Sequence, residues 1–266
     1  MSGMRVAMIG ASGKMGRDIM RGIIDETDIE IVGAVDLVND GMDISDLIGG
    51  EPRGIAVESD LATMIETKTP EVVIDFTTPA TVMKNIITAL EHQVHIVVGT
   101  TGLTEDDLDA IDKLAREKER VAFVVPNFAL GAVLMMGFAA QAAKFFPNVE
   151  VIELHHDQKM DAPSGTAIKT LEMMAAEREK IQQGHPKEFE KIEGARGGAY
   201  EGMRVHSVRL PGYVAHQEVL FGGRGQTLTI RHDSMSRDSF VPGVLLALRS
   251  IGDLGAGLVY GLENVL

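Results

Sequence analysis

Short runs of β-branched residues alternate with helical stretches through the first 126 residues, and this rhythm restricts the folds open to the chain. Strands that alternate with helices predict a parallel sheet with helices on both faces, which is the doubly wound α/β class. The predicted strands occupy residues 5–9, 29–35, 72–76, 96–98 and 121–125.

The second half has a different pattern, in which apolar and polar residues alternate over longer segments. This alternation places successive side chains on opposite faces, so it predicts an open mixed sheet. The segments are residues 150–155, 203–210, 214–221 and 226–232. We expect a helix to begin near Ser164 and a surface helix and loop to occupy residues 177–200.

These two patterns predict two domains. One comprises residues 1–127 and 237–266, and the other is an α+β domain of residues 128–236. After Pro242 the chain is predicted to be helical again, and we expect its last nine residues to pack back on the first domain.

Composition argues against several functions. The 266 residues include no cysteine, which excludes disulfides and thiolate nucleophiles and fits a reducing, cytoplasmic location. A formal net charge of −14 disfavours nucleic acid as a partner. The start runs into glycines within ten residues, unlike a secretory signal. The uncharged segment 128–143 is only 16 residues long, short of the roughly 20 that span a membrane, so we interpret it as a buried helix.

Gly10, Gly13 and Gly16 lie between the first predicted strand and the helix that follows. A dinucleotide site of the Rossmann type needs a tight turn, close approach of backbone to pyrophosphate, and a helix N-terminus that faces the anion. The glycines fit those needs, although they would also serve merely to tighten the turn.

Asp36 stands at the end of the second strand, where a carboxylate accepts hydrogen bonds from the adenosine ribose. Because Leu37 and Val38 follow with no arginine, we expect NADH to be favoured over NADPH. Lys14 and Arg17 are near enough in sequence to assist a phosphate, and a solvated strand-end aspartate is the simpler alternative.

Three small or hydroxylated segments follow predicted strands, at the sheet edge where open α/β sheets bind ligands. They are residues 75–78, 99–102 and 126–128. We expect them to approach the nicotinamide half of the dinucleotide, although ordinary turn chemistry explains any one of them.

The densest chemistry lies in residues 153–167. His155, His156 and Lys159 form a local positive site in an acidic protein, and Ser164 introduces a helix whose N-terminal amides can hold a carboxylate. Lys159 can donate a proton. The segment therefore predicts a site for a small acidic substrate.

Two other interpretations of the histidine pair stay open. Metal binding is disfavoured because adjacent strand residues face opposite ways and no third ligand stands at suitable spacing, so no metal is expected. A solvated structural pair is the second alternative. Five further arginines could add to the pocket, and the sequence does not say which face inward: Arg196, Arg209, Arg224, Arg231 and Arg237.

These residues together resemble one family, 4-hydroxy-tetrahydrodipicolinate reductase, also called dihydrodipicolinate reductase. The resemblance covers nearly the whole chain, and its most specific part is the block HHDQKMDAPSGTA at 155–167. The other matching segments are residues 6–17, 74–77, 99–102 and 127–128.

The resemblance implies roles for particular residues. His155 and Lys159 would be the catalytic pair, with Lys159 the proton donor, and His156, Gly165 and Thr166 would contact substrate. The residues implied to line the dinucleotide are Gly10, Ala11, Ser12, Gly13, Lys14, Met15, Asp36, Gly99, Thr100, Thr101, Val125, Pro126, Asn127 and Phe128.

It also implies an activity, which is NAD(P)H-dependent reduction of 4-hydroxy-tetrahydrodipicolinate to tetrahydrodipicolinate on the diaminopimelate route to lysine. The first domain would bind dinucleotide, and the second would bind substrate and join homotetramers through its sheet. Arg237 and Phe240 resemble a family segment near the domain junction, and domain closure is implied. Many relatives carry a basic residue beside the acidic one, so Leu37 is a departure that weakens any expectation of NADPH preference.

Two competing functions remain. One is a different dehydrogenase of the same architecture, acting on an amino-acid semialdehyde or a sugar. The other is a regulatory protein that senses the dinucleotide without turnover, and such a protein would bind NADH but not consume it.

Overall fold

The computed structural model describes residues 3–266 and divides into two compact units. The first unit is Met1–Phe128 with Arg237–Leu266, and the second is Ala129–Ser236. The strands are β1 Met4–Ile9, β2 Ile29–Val35, β3 Val57–Glu58, β4 Val72–Asp75, β5 His95–Val98, β6 Val121–Val124, β7 Asn148–His155, β8 Gly198–Tyr200, β9 Met203–Arg209, β10 Ala215–Gly223, β11 Gln226–Ser234 and β12 Gly257–Tyr260. The helices are α1 Lys14–Ile23, α2 Ile44–Ile48, α3 Leu61–Lys68, α4 Val82–Glu91, α5 Glu105–Glu117, α6 Leu130–Ala143, α7 Gly165–Ala176 and α8 Val241–Ser250.

The first unit is built on a seven-stranded parallel sheet in the order β12-β6-β5-β4-β1-β2-β3. Its central strands are mainly apolar because parallel strands in such folds are covered on both faces. β4, β5 and β6 are almost entirely buried, and helix residues such as Ile86 and Ile111 pack against them. The predicted Rossmann-type doubly wound sheet is confirmed.

Two of the seven strands were not anticipated. β3 has two residues, which is too short for periodicity to reveal, and it pairs with the end of β2. The C-terminal tail, expected only to pack on the first domain, supplies β12 as a parallel neighbour of β6. It joins the sheet because Gly257 donates to the carbonyl of Arg120 and begins the pairing.

The second unit is built on a five-stranded mixed sheet in the order β11-β10-β7-β9-β8, in which only the β7–β9 pair is parallel. α6 and α7 pack together on one face, over Val149, Val151, Val219 and Phe221. The predicted open mixed sheet is confirmed. No helix within residues 3–266 is long and apolar enough to cross a membrane.

The prediction of a surface helix within residues 177–200 is wrong. The structure has a loop there, followed by β8, which pairs antiparallel with β9. Gly184, Gly194 and Gly197 adopt positive φ angles of 91°, 81° and 66°. A right-handed helix cannot continue through such residues, so the polar composition of this segment reflects a loop.

Candidate active site

The glycine loop after β1 is tightly packed against the end of β4. Gly10 has φ of +83°, and a Cβ at this position would lie 2.4 Å from the carbonyl oxygen of Phe76. A Cβ at Gly16 would lie 2.2 Å from the carbonyl oxygen of Gly10. Only glycine fits either position, so two of the three predicted glycines are required by close backbone approach.

The N-terminus of α1 opens at this loop. Gly13 is its N-cap, and among the described residues no side chain caps it and no acidic residue lies in its first turn. In contrast, Asp60 caps α3 and Thr104 caps α5. Because the first amides of a helix attract anions, an uncapped start beside a glycine turn suits a pyrophosphate.

Asp36 is held against the same loop. Its carboxylate accepts hydrogen bonds from the Ser12 amide at 2.9 Å and from the Val38 amide at 3.2 Å. Asp36 borders a cavity of about 490 Å³ within the first unit. The lining residues are Ile9, Gly10, Gly13, Val35, Asp36, Leu37, Ser59, Asp60, Leu61, Ala62, Phe76, Thr77, Thr78, Thr81, Lys84, Asn85 and Thr88.

Asp75 connects the ends of β4 and β5. Its buried carboxylate accepts hydrogen bonds from the Thr77 hydroxyl at 2.8 Å, the Thr100 hydroxyl at 2.6 Å and the Asn85 amide at 2.8 Å. The Thr100 hydroxyl also accepts from the Thr77 amide at 2.8 Å. One buried carboxylate therefore orders two of the strand-end segments that the sequence suggested.

Phe76 connects the third strand-end segment to the other two. Its ring lies 5.5 Å from that of Phe128 between centroids, and a Cβ on Gly99 would lie 2.1 Å from a ring carbon of Phe76. The Val125 amide donates to the carbonyl of Val98 at 2.8 Å. The three segments are thus neighbours, and Thr101 and Pro126 are exposed at their edge.

Sequence reasoning missed part of the cavity wall in the first unit. Ser59–Ala62 and the α4 residues Lys84, Asn85 and Thr88 line it, yet none was predicted. Residues 59–62 follow the two-residue β3, which gives no periodic signal. The α4 residues lie on a helix whose cavity-lining face could not be assigned from the sequence.

In the second unit, β7 presents His155 at its C-terminal end. His155 Nδ1 lies 2.5 Å from Glu153 Oε2, two residues earlier on the same face of the strand. His156 is exposed beyond the strand, and its carbonyl accepts from the Lys159 amide at 3.2 Å. The histidines therefore lie in different environments, as their adjacent positions suggested.

Lys159 Nζ makes an ion pair with Asp161, donating to its two oxygens at 2.7 and 2.9 Å. The hydrogen bond from Lys159 lowers the pKa of Asp161. Within residues 3–266, no group of three or more histidines and carboxylates is arranged to hold a metal.

An ion pair between the partly exposed Arg209 and the buried Glu153 supports this segment. Arg209 on β9 donates to both oxygens of Glu153, at 2.8 and 2.7 Å. Burial raises the pKa of Glu153, but hydrogen bonds from His155, Arg209 and Ser207 outweigh it and lower that pKa to about 2. Glu153 is therefore an ionised carboxylate at neutral pH.

The helix predicted near Ser164 is α7. Ser164 is its N-cap, and its hydroxyl accepts from the Ala167 amide at 3.2 Å. Gly165 begins the helix in open space, since a Cβ there would meet nothing within 4 Å. Thr166 is the second residue of the helix and is half-buried. This turn is open enough for a ligand to approach Gly165.

The candidate arginines have different partners. Arg209 holds Glu153, whereas Arg196 pairs with Glu150, Arg231 with Asp233, and Arg237 with Asp18. The sequence left the partner of Arg209 unassigned because it depends on the register of β7 against β9. The available signal for Glu153 was its position two residues before His155 on a predicted strand.

The first unit has a Rossmann-type sheet with a glycine loop, and the second has a mixed sheet that bears His, Lys and a capped helix start. This combination is typical of two-domain dinucleotide-dependent oxidoreductases. The family models named dihydrodipicolinate reductase N-terminus and C-terminus match residues 4–128 and 131–266. The chain therefore belongs to the dihydrodipicolinate reductase family and is an NAD(P)H-dependent oxidoreductase.

Individual relatives agree with this assignment. The chain is 52% identical to a 4-hydroxy-tetrahydrodipicolinate reductase of Desulfitobacterium hafniense over 268 residues, covering 100% of both chains. It is 52% identical over 262 residues to the enzyme of that name from Moorella thermoacetica, covering 98% of this chain and 97% of the relative.

Solved structures agree as well. The dipicolinate-bound dihydrodipicolinate reductase of Paenisporosarcina sp. TG-14 is 45% identical with a TM-score of 0.88, covering 99% of this chain and 100% of that one. An amine dehydrogenase of Mycobacterium smegmatis, 15% identical with a TM-score of 0.69 and covering 96% and 94% of the two chains, shares the fold.

Proposed function

We propose that the chain reduces 4-hydroxy-tetrahydrodipicolinate to tetrahydrodipicolinate, a step on the diaminopimelate route to lysine. The balanced reaction consumes substrate, NAD(P)H and one proton, and it yields tetrahydrodipicolinate, NAD(P)⁺ and water. The observation that carries this proposal is the block 155–167, in which a histidine, a lysine and a helix start stand together in an acidic chain. Such groups suit a dicarboxylate substrate.

The first unit fits a dinucleotide. Gly10 has no Cβ, which at this position would block the turn. The amides at the start of α1, including those of Lys14 and Met15, would face the pyrophosphate. Asp36 would accept the ribose hydroxyls. The strand-end residues Gly99, Thr100, Thr101, Val125, Pro126, Asn127 and Phe128 would line the nicotinamide half. When bound, the nicotinamide supplies a hydride from its C4.

The second unit would bind and protonate the substrate. The amides of Gly165 and Thr166 at the start of α7 would hold one carboxylate, and His156 would contact the substrate. Lys159 would donate the proton, with His155 as its catalytic partner. The ion pair of Lys159 with Asp161 keeps the ammonium in place before substrate arrives.

A coupled absorbance assay tests the reaction. Substrate is generated from pyruvate and aspartate semialdehyde by the preceding synthase, and the loss of NADH or NADPH is recorded with the chain present and absent. We expect loss that depends on both the chain and the synthase. Binding of NADH without its consumption would favour a sensor and would overturn the proposal.

NADH is proposed as the preferred cofactor. The cavity lining carries Asp36 and Asp60 but one lysine, Lys84, and Leu37 beside Asp36 is 81% exposed and uncharged. A 2′-phosphate at Asp36 would meet a carboxylate, and no arginine follows it to form a clamp. We therefore expect a higher kcat/KM with NADH than with NADPH.

Leu37→Arg is expected to shift that preference toward NADPH by about 10-fold or more in the ratio of the two kcat/KM values, because a guanidinium would pair with the 2′-phosphate. The same coupled assay measures both values. Val38→Arg, one residue further along, is the matched control. Equal ratios for wild type and both variants would remove residue 37 from cofactor selection.

A homotetramer joined through the mixed sheets is also proposed. α6 and α7 cover one face of the sheet, and on the other face Ile152, Leu154 and Leu220 are only partly buried. Apolar residues on an open sheet face suit another copy of the same sheet. A cytoplasmic location is proposed as well, in keeping with a chain that has no cysteine.

Light scattering coupled to size exclusion should give a mass near four times 28.7 kDa. Leu220→Asp should lower that mass, because a buried unpaired carboxylate opposes association. Leu228→Asp, which lies on the opposite face of the sheet, is the comparison. A monomeric wild type would refute the tetramer.

A further inference from the structure

Glu153 is unusual in this chain because it is a fully buried charge beside a predicted catalytic residue. Its two oxygens accept from Arg209, and one of them also lies 2.5 Å from His155 Nδ1. The register of β7 against β9 explains why these side chains lie together. In the parallel β7–β9 pair, Glu153 is opposite Ser207 and His155 is opposite Arg209, so these side chains share the face of the sheet that α6 and α7 cover.

The state of Glu153 decides the tautomer of His155. An ionised carboxylate has no hydrogen to donate, so the short contact requires a hydrogen on His155 Nδ1. The neutral imidazole then has an unprotonated Nε2, and this nitrogen is the one left for chemistry. Arg209 supports the ionised state because it donates to both carboxylate oxygens.

Arg209 also reaches the turn that carries Lys159. Its two terminal nitrogens make four hydrogen bonds, of which two go to Glu153, one to the carbonyl of Val208 and one to the carbonyl of Asp161 at 2.7 Å. Asp161 is the residue whose carboxylate holds Lys159 Nζ. A continuous set of hydrogen bonds therefore runs from the His155 ring through Glu153 and Arg209 to the backbone beside Lys159.

We propose that Glu153 and Arg209 are positioning residues: Glu153 keeps the hydrogen of His155 on Nδ1 and leaves Nε2 for the substrate, and Arg209 ties this imidazole to the turn that bears Lys159. The inference rests on the proposed function, in which His155 and Lys159 are the catalytic pair. Neither positioning residue needs to touch substrate. Their effect should therefore appear in kcat and not in cofactor binding.

The chain offers a matched control on the same strand. Glu150, on the opposite face of β7, also accepts from one arginine and one histidine, Arg196 at 2.7 Å and His206 at 2.8 Å. The two carboxylates differ in which histidine they hold and in burial, since the Glu153 side chain is fully buried and that of Glu150 is 30% exposed. Replacing both members of each pair by methionine avoids leaving a buried unpaired charge.

The experiment compares Glu153→Met/Arg209→Met with Glu150→Met/Arg196→Met in the coupled assay, after thermal melting and size exclusion of both. We expect the first double variant to lose about 10²-fold in kcat, which lies within the range that acid–base catalysis contributes, with little change in KM for NADH. The control should retain kcat within about threefold, since it removes contacts that take no part in the reaction. Equal losses in both would overturn the proposal.

A second comparison separates positioning from general damage. The Glu153→Met/Arg209→Met change is repeated in a His155→Ala background, where positioning residues have no imidazole left to orient. We expect it to alter kcat there by less than about threefold, because residues that act as a unit are not additive. A further loss of kcat by about 10²-fold in this background would show that Glu153 and Arg209 act on a group other than His155.

The unaltered protein gives an independent test. Neutron diffraction should show a deuterium on His155 Nδ1 within the contact to Glu153. Finding that position empty would overturn the inference even if every variant lost activity. If the unaltered protein consumes no NADH in the coupled assay, the proposed function fails, while the neutron result still judges the tautomer separately.

Discussion

Lys159→Ala is expected to lower kcat by about 10²–10⁴-fold, because it removes the proposed proton donor of the reduction. Hydride transfer to the substrate needs a proton to complete the product, and no other ammonium occurs in the block 155–167. The binding of NADH should change little, since the residues proposed to hold the dinucleotide belong to the first unit. Steady-state kinetics in the coupled assay and a fluorescence titration with NADH measure the two quantities.

Lys169→Ala is the matched control for this prediction. Lys169 lies ten residues further on, on an exposed position of α7, and loses the same charge and side chain. It should keep kcat within about twofold of wild type, as surface changes usually do. If Lys159→Ala turned over substrate as fast as Lys169→Ala, Lys159 would not be the proton donor.

Gly10→Ala is expected to weaken NADH binding by about 10-fold or more and to destabilise the first unit. A left-handed conformation costs a non-glycine residue about 1–2 kcal/mol. The added Cβ would also lie 2.4 Å from the carbonyl oxygen of Phe76, which is backbone and cannot rotate away. The loop must therefore move, and the start of α1 would move with it, so the amides proposed to face the pyrophosphate would lose their positions.

Gly252→Ala tests whether any glycine replacement in this unit has the same effect. Gly252 has no positive φ, and a Cβ there would meet nothing within 4 Å. Thermal melting and NADH titration should leave it near wild type. An unchanged Kd for NADH in Gly10→Ala would show that the glycine loop does not hold the dinucleotide.

The sequence was sufficient for the fold class and the family. The strands β4, β5 and β6 are apolar except for Asp75 at the end of β4 and His95 at the start of β5. Their alternation with helices is visible in the sequence because burial on both faces disfavours polar residues within the strands. The block 155–167 carries enough specific residues to indicate the family, and the matching family models confirm it. The roles of His155, Lys159, Asp36 and the strand-end residues remain predictions.

The failures have physical causes as well. β3 is too short to show a period, and residues 177–200 are polar in the way that both a surface helix and a loop can be. The positive φ angles of Gly184, Gly194 and Gly197 rule out a continuous helix, so the segment is a loop. Glycine permits a positive φ angle but does not require it, so the contacts around these residues select the conformation.

The sequence alone determined which chemical groups the chain possesses and which of them stand at strand ends and helix starts, since local periodicity and capping are properties of neighbours along the chain. Only the tertiary structure decided that Arg209, and not Arg196, holds Glu153 beside His155. That choice follows from the register of β7 against β9, in which His155 is opposite Arg209 although 54 residues separate them in sequence. A register between distant strands is set by the packing of whole faces, which no short segment contains.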